Sequence, residues 1–551
     1  MNPGTRAGSL SCCPPLVLAL LLWLPLGFGC GHADQPVSQL HPVLPNSPQP
    51  SDALFSGPIQ TFELVIAADQ FESLRREPRK SVPAIVRSGT NEWTSVGVRV
   101  KGAAGSTRPI DDVPALTLNV DKFKPGQKIF GLDKLHLNNS VQDGSRMSEI
   151  VCADLYRRAG VPATRATHAL VRLNGRDLGL YVLKEGFDRS FLSRHFKDRS
   201  GNLYDGGFLR DIDQQLELDA GKTPPDWKDL QILSAVCNLP DAAARKAQLA
   251  KLVDVDRFLT YLALQVMTED WDGYPCNRNN YRVYHDPSAG RFTFMPHGMD
   301  QMFSQGGMPL NRGFEGIVAA RIIQVPEWRN GYFDRIESLL TNVFTTNAIL
   351  ATFDEAVSRR EPALAKLSRG EADDIRGNTR DLRRRIIDRV EDVQRQIASR
   401  PKPAKVASNG LIEVGRWQPR TQDAEGGRTD IVQEPADGRQ MLRIELTRPG
   451  ILSWRTRLEL PEGRYRLEAR AKVHDLVTSP NERGTGLGVR LSGTTRQNRP
   501  QNELQGTTGW TTVQFEFSLE STAEVELVAE MRGQKGTGFF DTKGFRLSRL
   551  P

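Results

Sequence analysis

The stretch from Glu269 to Phe303, EDWDGYPCNRNNYRVYHDPSAGRFTFMPHGMDQMF, gathers the side chains of this 551-residue chain whose types and spacing could do chemistry. A polar loop carries Asp270, Asp272, Asn277, Asn279 and Asn280. The pattern after it predicts a strand from Tyr281 to His285, a turn at Asp286 to Gly290, a second strand from Arg291 to Met295, and then Asp300. A tight hairpin returns its second end to its first, so the loop and Asp300 are expected side by side. Converging carboxylates and amides are hard oxygen ligands that suit Mg²⁺ or Mn²⁺. Phosphoryl transfer needs such a set, because its work is to position a nucleophile and neutralise phosphate charge. In protein kinases an Asp faces the acceptor hydroxyl, an Asn five positions later binds one metal ion, and an Asp beyond the following hairpin binds another. Asp272 and Asn277 have that offset and Asp300 stands at the hairpin-distal place, with Asn280 as an alternative amide ligand. Asp and Asn also gather in solvated turns for backbone reasons alone, so the elements around the loop have to decide.

Upstream, from about residue 60 to 185, the text reads mainly as short strands: Thr61 to Ala67, Val96 to Lys101, Ala115 to Val120, Lys134 to Leu137, Ala169 to Leu173 and Gly179 to Leu183. One helix interrupts them, with Met147, Ile150, Val151 and Leu155 at helical spacing, Asp143 or Ser145 as N-cap and Gly160 as the stop. Residues 186 to 400 turn helical, at Val255 to Met267, Tyr332 to Leu340, Ala348 to Val357 and a long segment carrying Leu382, Ile386, Val390, Val393 and Ile397. Pro401 and Pro403 end it and 401–409 reads as a linker. From 410 to 551 almost every segment alternates, at Met441 to Leu446, Tyr465 to Val473, Leu487 to Leu491, Thr511 to Phe517 and Val525 to Met531, which predicts an antiparallel sandwich.

The N-terminus carries Arg6, an apolar run from Leu16 to Phe28 broken by Pro25, and small residues around Cys30, the layout of a secretory signal over 1–30. Leu26 to Cys30 also resembles a lipoprotein cleavage site, which makes Cys30 a possible lipid anchor and the only expected link to a membrane. Residues 31–59, rich in Pro, Ser and Gln, read as a flexible tether. Cys152, Cys237 and Cys276 are too widely spaced for a disulfide framework or a zinc site, and no histidine pair has ligand spacing, so His297 is expected to be structural. The formal charge is +7, but Arg and Lys are interspersed with Asp and Glu and no basic run alternates with aromatics, which argues against a nucleic-acid partner.

Four segments carry a resemblance. VGVRVKGAAGSTR (Val96 to Arg108), GLDKLHLNNSVQDGSRMSEIVCADLYRRAGVPATR (131–165), LNGRDLGLYVLKEGFDRSFL (173–192) and the block from Trp271-Asp272 to Asp300 resemble, in order, the signatures of the CotH kinase family. The resemblance implies an α+β fold in which a two-lobed, atypical protein-kinase-like domain over 60–400, strand-rich to 185 and helical beyond, precedes the all-β sandwich. It implies an exported kinase that passes the γ-phosphoryl group of ATP to Ser or Thr of a secreted or surface protein. Position by position, Asp272 would contact the acceptor hydroxyl, and Asp300 with Asn277 or Asn280 would hold the metal ion. Lys101 to Ser106 would cover phosphate through backbone freed by Gly102 and Gly105. Glu149 would pair with a nucleotide-binding lysine, either Lys134 or Lys101, and Glu185 beside Lys184 would mark the hinge that meets adenine. Two departures point toward a weak enzyme or a pseudokinase acting as a surface scaffold. Pro296-His297-Gly298-Met299-Asp300 replaces the Pro-Trp-Asp of many relatives, and Asp112-Val113-Pro114 stands where a lysine is common.

The closing run from Gly509 to Leu550 resembles galactose-binding-like jelly-roll modules. That implies carbohydrate as a second ligand, with Trp417, Trp454 and Trp510 as the rings able to stack on a sugar.

Overall fold

The computed structural model describes residues 49–103, 105–400, 404, 407, 410–420, 426–435, 438–479, 484–494, 503–520 and 522–550. The expected signal segment with Cys30, the tether up to residue 48 and most of the 401–409 linker lie outside the described residues. No helix among the described residues is long and apolar enough to cross a membrane.

The first part is a closed barrel of seven strands: β1 (Gln60–Val65), β2 (Val82–Ser88), β3 (Asn91–Lys101), β4 (Ala115–Asn119), β5 (Lys134–Asn138), β6 (Ala166–Leu173) and β7 (Arg176–Glu185). Their spatial order is β1-β2-β3-β4-β5-β7-β6, and a parallel pairing of β6 with β1 closes the ring. Alternation sets what faces inward. Val96, Val98 and Val100 of β3, Leu116 and Leu118 of β4, Leu135 and Leu137 of β5, and Tyr181 and Leu183 of β7 fill the interior. Their neighbours Arg99, Lys101, Thr117, Lys134, His136, Asn138 and Lys184 therefore stand on the outer face, and registers Arg99↔Thr117, Thr117↔His136 and His136↔Lys184 put four of them in one row across β3, β4, β5 and β7.

Short helices α1 (Asp52–Ser56) and α2 (Ala68–Arg76) flank the barrel. Ordered structure thus begins before Gln60. Leu54 and Phe55 are buried, and Arg165 bonds Asp52 at 2.6 Å and Ser51 at 2.7 Å, a long-range anchor invisible to local composition. β2 also went unforeseen, because Pro83 interrupts its apolar run.

Helix α3 (Ser148–Arg158) lies against the row of outward side chains. Its N-terminal N–H groups are satisfied from upstream: Asp143 accepts from Ser148 at 2.9 Å and Ser145 accepts from Met147 at 3.1 Å, although Met147 itself is the capping position. After β7 come α4 (Arg189–His195), β8 (Asn202–Asp205), β9 (Glu217–Ala220), α5 (Lys228–Cys237), α6 (Ala242–Leu252), α7 (Val255–Met267), α8 (Tyr274–Asn277), β10 (Tyr281–Asp286), β11 (Arg291–Pro296), α9 (Ile317–Ile323), α10 (Pro326–Asn342), α11 (Thr346–Leu364) and α12 (Arg369–Ala398). Strands β8 to β11 form one sheet in the order β11-β10-β8-β9, on which the buried helix α7 packs.

Two antiparallel sheets follow, one of seven strands and one of four, over residues 411–550. They share a core that includes Ile444, Trp454, Leu458, Tyr465, Leu467, Leu527 and Phe540, which makes this part a β-sandwich. Arg400 joins it to the helical part: its guanidinium lies 3.9 Å from the Phe333 ring centroid and bonds Asn330 and Glu459, both at 3.1 Å.

One buried acid makes stability depend on pH. Asp188 caps α4 by accepting the N–H of Phe191 at 2.9 Å, while its other oxygen is buried without a partner. Burial pushes its carboxyl up to about 7. The folded state therefore holds this proton more tightly than the unfolded chain does, so the contribution is fully present below about pH 4 and is lost as pH rises through about 7. Asp188→Asn keeps a good capping side chain and removes the charge. Melting followed by calorimetry should show the variant close to the parent near pH 4 and more stable than it near pH 8; equal melting shifts at both pH values would contradict the assignment.

Candidate active site

The site is assembled from the outer face of the barrel, helix α3 and the loop after α7. Glu149 lies in the first turn of α3 with its side chain 2% exposed, and it pairs with the ammonium of Lys184 from β7, 1% exposed. Its second oxygen accepts from Asn138 Nδ2 at 2.8 Å, and Asn138 Oδ1 accepts from Lys101 Nζ at 2.6 Å. Lys101 reaches Asn138 across β4, where its paired residue is the small Ala115. Burial and the nearby Lys184 charge lower the Lys101 ammonium to about 8.

The lysine that meets Glu149 is thus neither of the two expected from sequence. Lys134 turns the other way, to Phe187 O at 3.3 Å and Asp219 at 3.5 Å, and Lys101 reaches Glu149 only through Asn138. Strand parity puts Lys184 on the outer face, since Leu183 before it is core, but it puts Lys101 and Lys134 there as well, and only the strand order sets Lys184 over the helix. Glu185 has the other parity and stands apart from the site. Its carboxylate is buried against Arg165 and Arg194 and its N–H bonds Arg165 O at 3.0 Å, so these groups are committed to the fold rather than open to a base.

The second half is the loop from Thr268 to Asn280. Asp272 accepts three side-chain amides: Asn277 at 2.6 Å on one oxygen, and Asn279 at 3.0 Å and Asn280 at 2.9 Å on the other. Each amide spends its nitrogen on Asp272, which leaves its oxygen for another ligand. Behind the loop, Gln265 of α7 donates to Asp270 at 2.6 Å and to Tyr156 OH of α3 at 2.7 Å, tying the two halves together. A Cβ at Gly273 would lie 1.9 Å from Gln265 Oε1, so only glycine lets the loop pack here.

The hairpin of β10 and β11 pairs Tyr281 with Pro296, and His297 N bonds Asn280 O at 3.0 Å. Gly298, at φ +59°, passes so close that a Cβ would sit 2.5 Å from Asn280 Oδ1. At the next residue, Met299 N bonds Glu149 Oε1 at 3.3 Å, which places Asp300 beside the Lys184 pair. Burial, then the Glu149 charge, raise the Asp300 carboxyl to about 7 while Lys184 opposes the rise. Asp270, held well above the usual carboxylate range mainly by burial, feels both Asp272 and Asp300, so loop and hairpin end share one electrostatic neighbourhood. His297 packs edge-on against His136 and Phe187, at 6.5 and 5.6 Å between ring centroids. Its Nδ1 is buried without a hydrogen-bond partner and its pKa is well below the usual value, chiefly through burial.

The glycine turn after Lys101 closes on itself. Ser106 Oγ accepts from Ala103 N at 3.0 Å, Gly102 and Gly105 adopt φ of +113° and +82°, and Asn139, next to Asn138, donates to Ser106 O at 3.3 Å. Its seat is therefore the same end of the barrel as Lys101. Among the described residues no three His, Cys, Asp or Glu side chains form a ready metal cluster.

Of the sandwich tryptophans, Trp454 is core and donates to Arg443 O at 3.2 Å, and Trp417 packs on Phe545 with centroids 4.2 Å apart. Trp510 is half-buried and faces Lys472, Arg470 and Arg439 at 4.8, 5.4 and 5.9 Å from its ring centroid.

Breaking a buried pair by removing one partner leaves an uncompensated charge and costs about 3–5 kcal/mol. Lys184→Met should therefore destabilise strongly, while Lys184→Met with Glu149→Gln should lose much less than the sum of the single changes. Calorimetric unfolding of the three variants measures the coupling, and additive losses would show that the pair does not act as a unit.

The chain is 28% identical over 258 residues to the inner spore coat protein H of Bacillus subtilis, covering 43% of this chain and 70% of that one. It is 23% identical over 186 residues to the invasin CotH3 of Rhizopus delemar, 30% of this chain and 31% of that one, so it spans under a third of the invasin. Among solved structures, the Helicobacter pylori proinflammatory kinase CtkA aligns over 54% of this chain and 96% of its own at 12% identity and a TM-score of 0.26. The carbohydrate-binding module TmCBM61, solved with β-1,4-galactotriose, aligns over 26% of this chain and 98% of its own at 16% identity and a TM-score of 0.18. The family model described as CotH kinase protein matches residues 98–397, more than half the chain, and the chain belongs to that family.

Proposed function

We propose that this chain is an exported atypical kinase with a two-lobed catalytic domain, transferring the γ-phosphoryl group of ATP to a Ser or Thr hydroxyl of a secreted or surface protein. The observation that carries the proposal is the water-excluded Lys184 and Glu149 pair standing next to Asp300 and sharing a neighbourhood with the amide-clamped Asp272. In this reading Lys184, oriented by Glu149, meets the nucleotide phosphates, with Lys101 and the Gly102 to Ser106 turn behind it. Lys184 thereby takes the role that the sequence offered to Lys134 or Lys101.

Mg²⁺ or Mn²⁺ fits the donor set. Mg²⁺ is commonly held by one or two carboxylates plus substrate phosphates and water rather than by an all-protein cage. Asp300 would supply the carboxylate, whose pKa burial and the Glu149 charge raise to about 7. Asn277 and Asn280 have amide oxygens to add, since their nitrogens are held by Asp272. When bound, the metal ion would neutralise phosphate charge. Asp272 would orient the acceptor hydroxyl and take its proton.

Export is supported by the N-terminal signal pattern and by the names of relatives from a spore coat and from invasins. The second reading, a surface scaffold without catalysis, draws on the His297-Gly298-Met299 departure. In both readings the sandwich would bind carbohydrate or protein, with Trp510 the one of the three tryptophans that is neither core nor packed on a phenylalanine ring.

Purified protein given labelled ATP with Mn²⁺ or Mg²⁺ should transfer phosphate, and Asp272→Ala and Asp300→Ala should lower the rate by at least about a hundredfold while circular dichroism stays native. ATP at a hundred times its dissociation constant should stabilise the parent by about 2.7 kcal/mol, with most of the gain dependent on metal. No stabilisation by any nucleotide would reject the kinase reading in favour of the scaffold.

A further inference from the structure

Glu269, one residue before Asp270 and three before Asp272, takes no part in the site just described, yet it is almost fully buried. Its carboxylate accepts four consecutive backbone N–H groups from the far side of Asp300: Gln305 at 3.1 Å and Gly306 at 3.2 Å on one oxygen, Gly307 at 2.7 Å and Met308 at 3.2 Å on the other. Four successive amides can face one anion only where the chain curls, and Gly306 and Gly307 supply that curl with φ of +65° and +120°. Glu269 itself adopts φ +60°, which a non-glycine residue holds only where surrounding contacts fix it.

The rest of the segment is pinned to the same two elements. Phe303 N bonds Thr268 O at 2.8 Å, and Arg385 and Gln396 of α12 donate to Phe303 O at 3.0 Å and Met308 O at 3.2 Å. Arg389 of α12 stands 3.7 Å from Glu269 and donates to the Val266 and Met267 carbonyls that end α7. Farther along, Glu315 N bonds Pro275 O at 2.8 Å, so the stretch from Asp300 to Gly316 is tied to the Asp272 loop at both ends. Between the ties Ser304, Gln305, Gly306 and Gly307 present their outer side to solvent. Residues 301–316 contain one hydroxyl side chain, Ser304, whose Oγ is turned back onto Gln301 O at 2.7 Å.

We propose that Glu269 is a positioning residue, a built-in anion that keeps the segment after Asp300 folded as the platform for the acceptor chain, so that the site stands assembled without modification of the protein. The proposal rests on the phosphotransferase reading for the platform's use, but not for its folding. Many regulated transferases order such a segment by adding a phosphate opposite an arginine; here a side-chain carboxylate beside Arg389 already holds the backbone, and the segment offers little to phosphorylate.

The test compares the parent, verified as unmodified by intact mass, with Glu269→Gln, whose amide has the same shape but no longer presents two acceptor oxygens. Hydrogen exchange at Gln305 to Met308 should accelerate by about a hundredfold or more, with exchange along β7 and α3 unchanged. Labelled phosphate from ATP with Mn²⁺ should pass to dephosphorylated casein at least about tenfold more slowly, while the KM for ATP and the slower hydrolysis to water hold. Should Glu269→Gln not fold, Glu269→Asp keeps the charge one methylene short and should give intermediate exchange. Unchanged exchange in these variants overturns the proposal, as does an equal loss of casein and water transfer with protected amides. A parent that transfers no phosphate overturns the proposed function instead, and exchange alone then decides the hold.

Discussion

Withdrawing two opposite charges from water costs several kcal/mol for each ion in lost hydration, and good geometry with further hydrogen bonds is needed to recover it. The Lys184 and Glu149 pair meets that condition through a chain of constraints. Strand β7 must present Lys184 outward, which the inward Tyr181 and Leu183 enforce; α3 must start where Asp143 and Ser145 can satisfy its first N–H groups; and Asn138 must cover the second Glu149 oxygen. Met299 N then donates to the same carboxylate, so the end of the β10–β11 hairpin is located by a charge on the barrel side. Barrel, helix and hairpin meet at one carboxylate, and Asp300 takes its place from that meeting.

What the sequence reveals of this follows from which physical signals are local. Period-two alternation makes β3, β4 and β5 readable and fixes which of their residues share a face, and the hairpin between Asn280 and Asp300 follows from two short strands and an Asp-Pro-Ser-Ala-Gly turn. The partner of Glu149 does not follow, because the choice among Lys101, Lys134 and Lys184 depends on strand order, and β7 rather than β6 lies beside β5. Chain order alone suggested Lys134. In space it lies at the far end of β5, where Asp219 of β9 attracts it. The Glu269 contacts were equally illegible: four backbone donors have no side-chain signature, and only the Gly306-Gly307 pair hints at a curl. Helix α1 escaped notice because its support is Arg165, more than a hundred positions away.

The loop after α7 shows how buried acids can be given different tasks by their partners. Glu269 is met by four N–H groups and Arg389, which is a structural role. Asp270, almost wholly buried with Gln265 as its side-chain partner, is pushed well above the usual carboxylate range and belongs to the packing between α7 and α3. Asp272 is half exposed and clamped by three amides, each of which donates without bringing positive charge. It is the acid of the three held in place while remaining open to a visiting group.

Charge balance bears on the order of events under the phosphotransferase reading. Lys101 is pushed down toward about 8 by burial and Lys184, and Asp300 is pushed up to about 7 by burial and Glu149. Burial is the largest cause of both shifts. A polyphosphate alone would satisfy the lysines but crowd Asp300 and Glu149 with further negative charge. A divalent cation alone would satisfy Asp300 but repel the neighbouring Lys184 ammonium. Bound together they would offset both conflicts, with Asp300 available to the cation and Lys184 and Lys101 to the phosphates. Under that reading the charges of the site favour a metal ion and a phosphate chain that arrive as one complex.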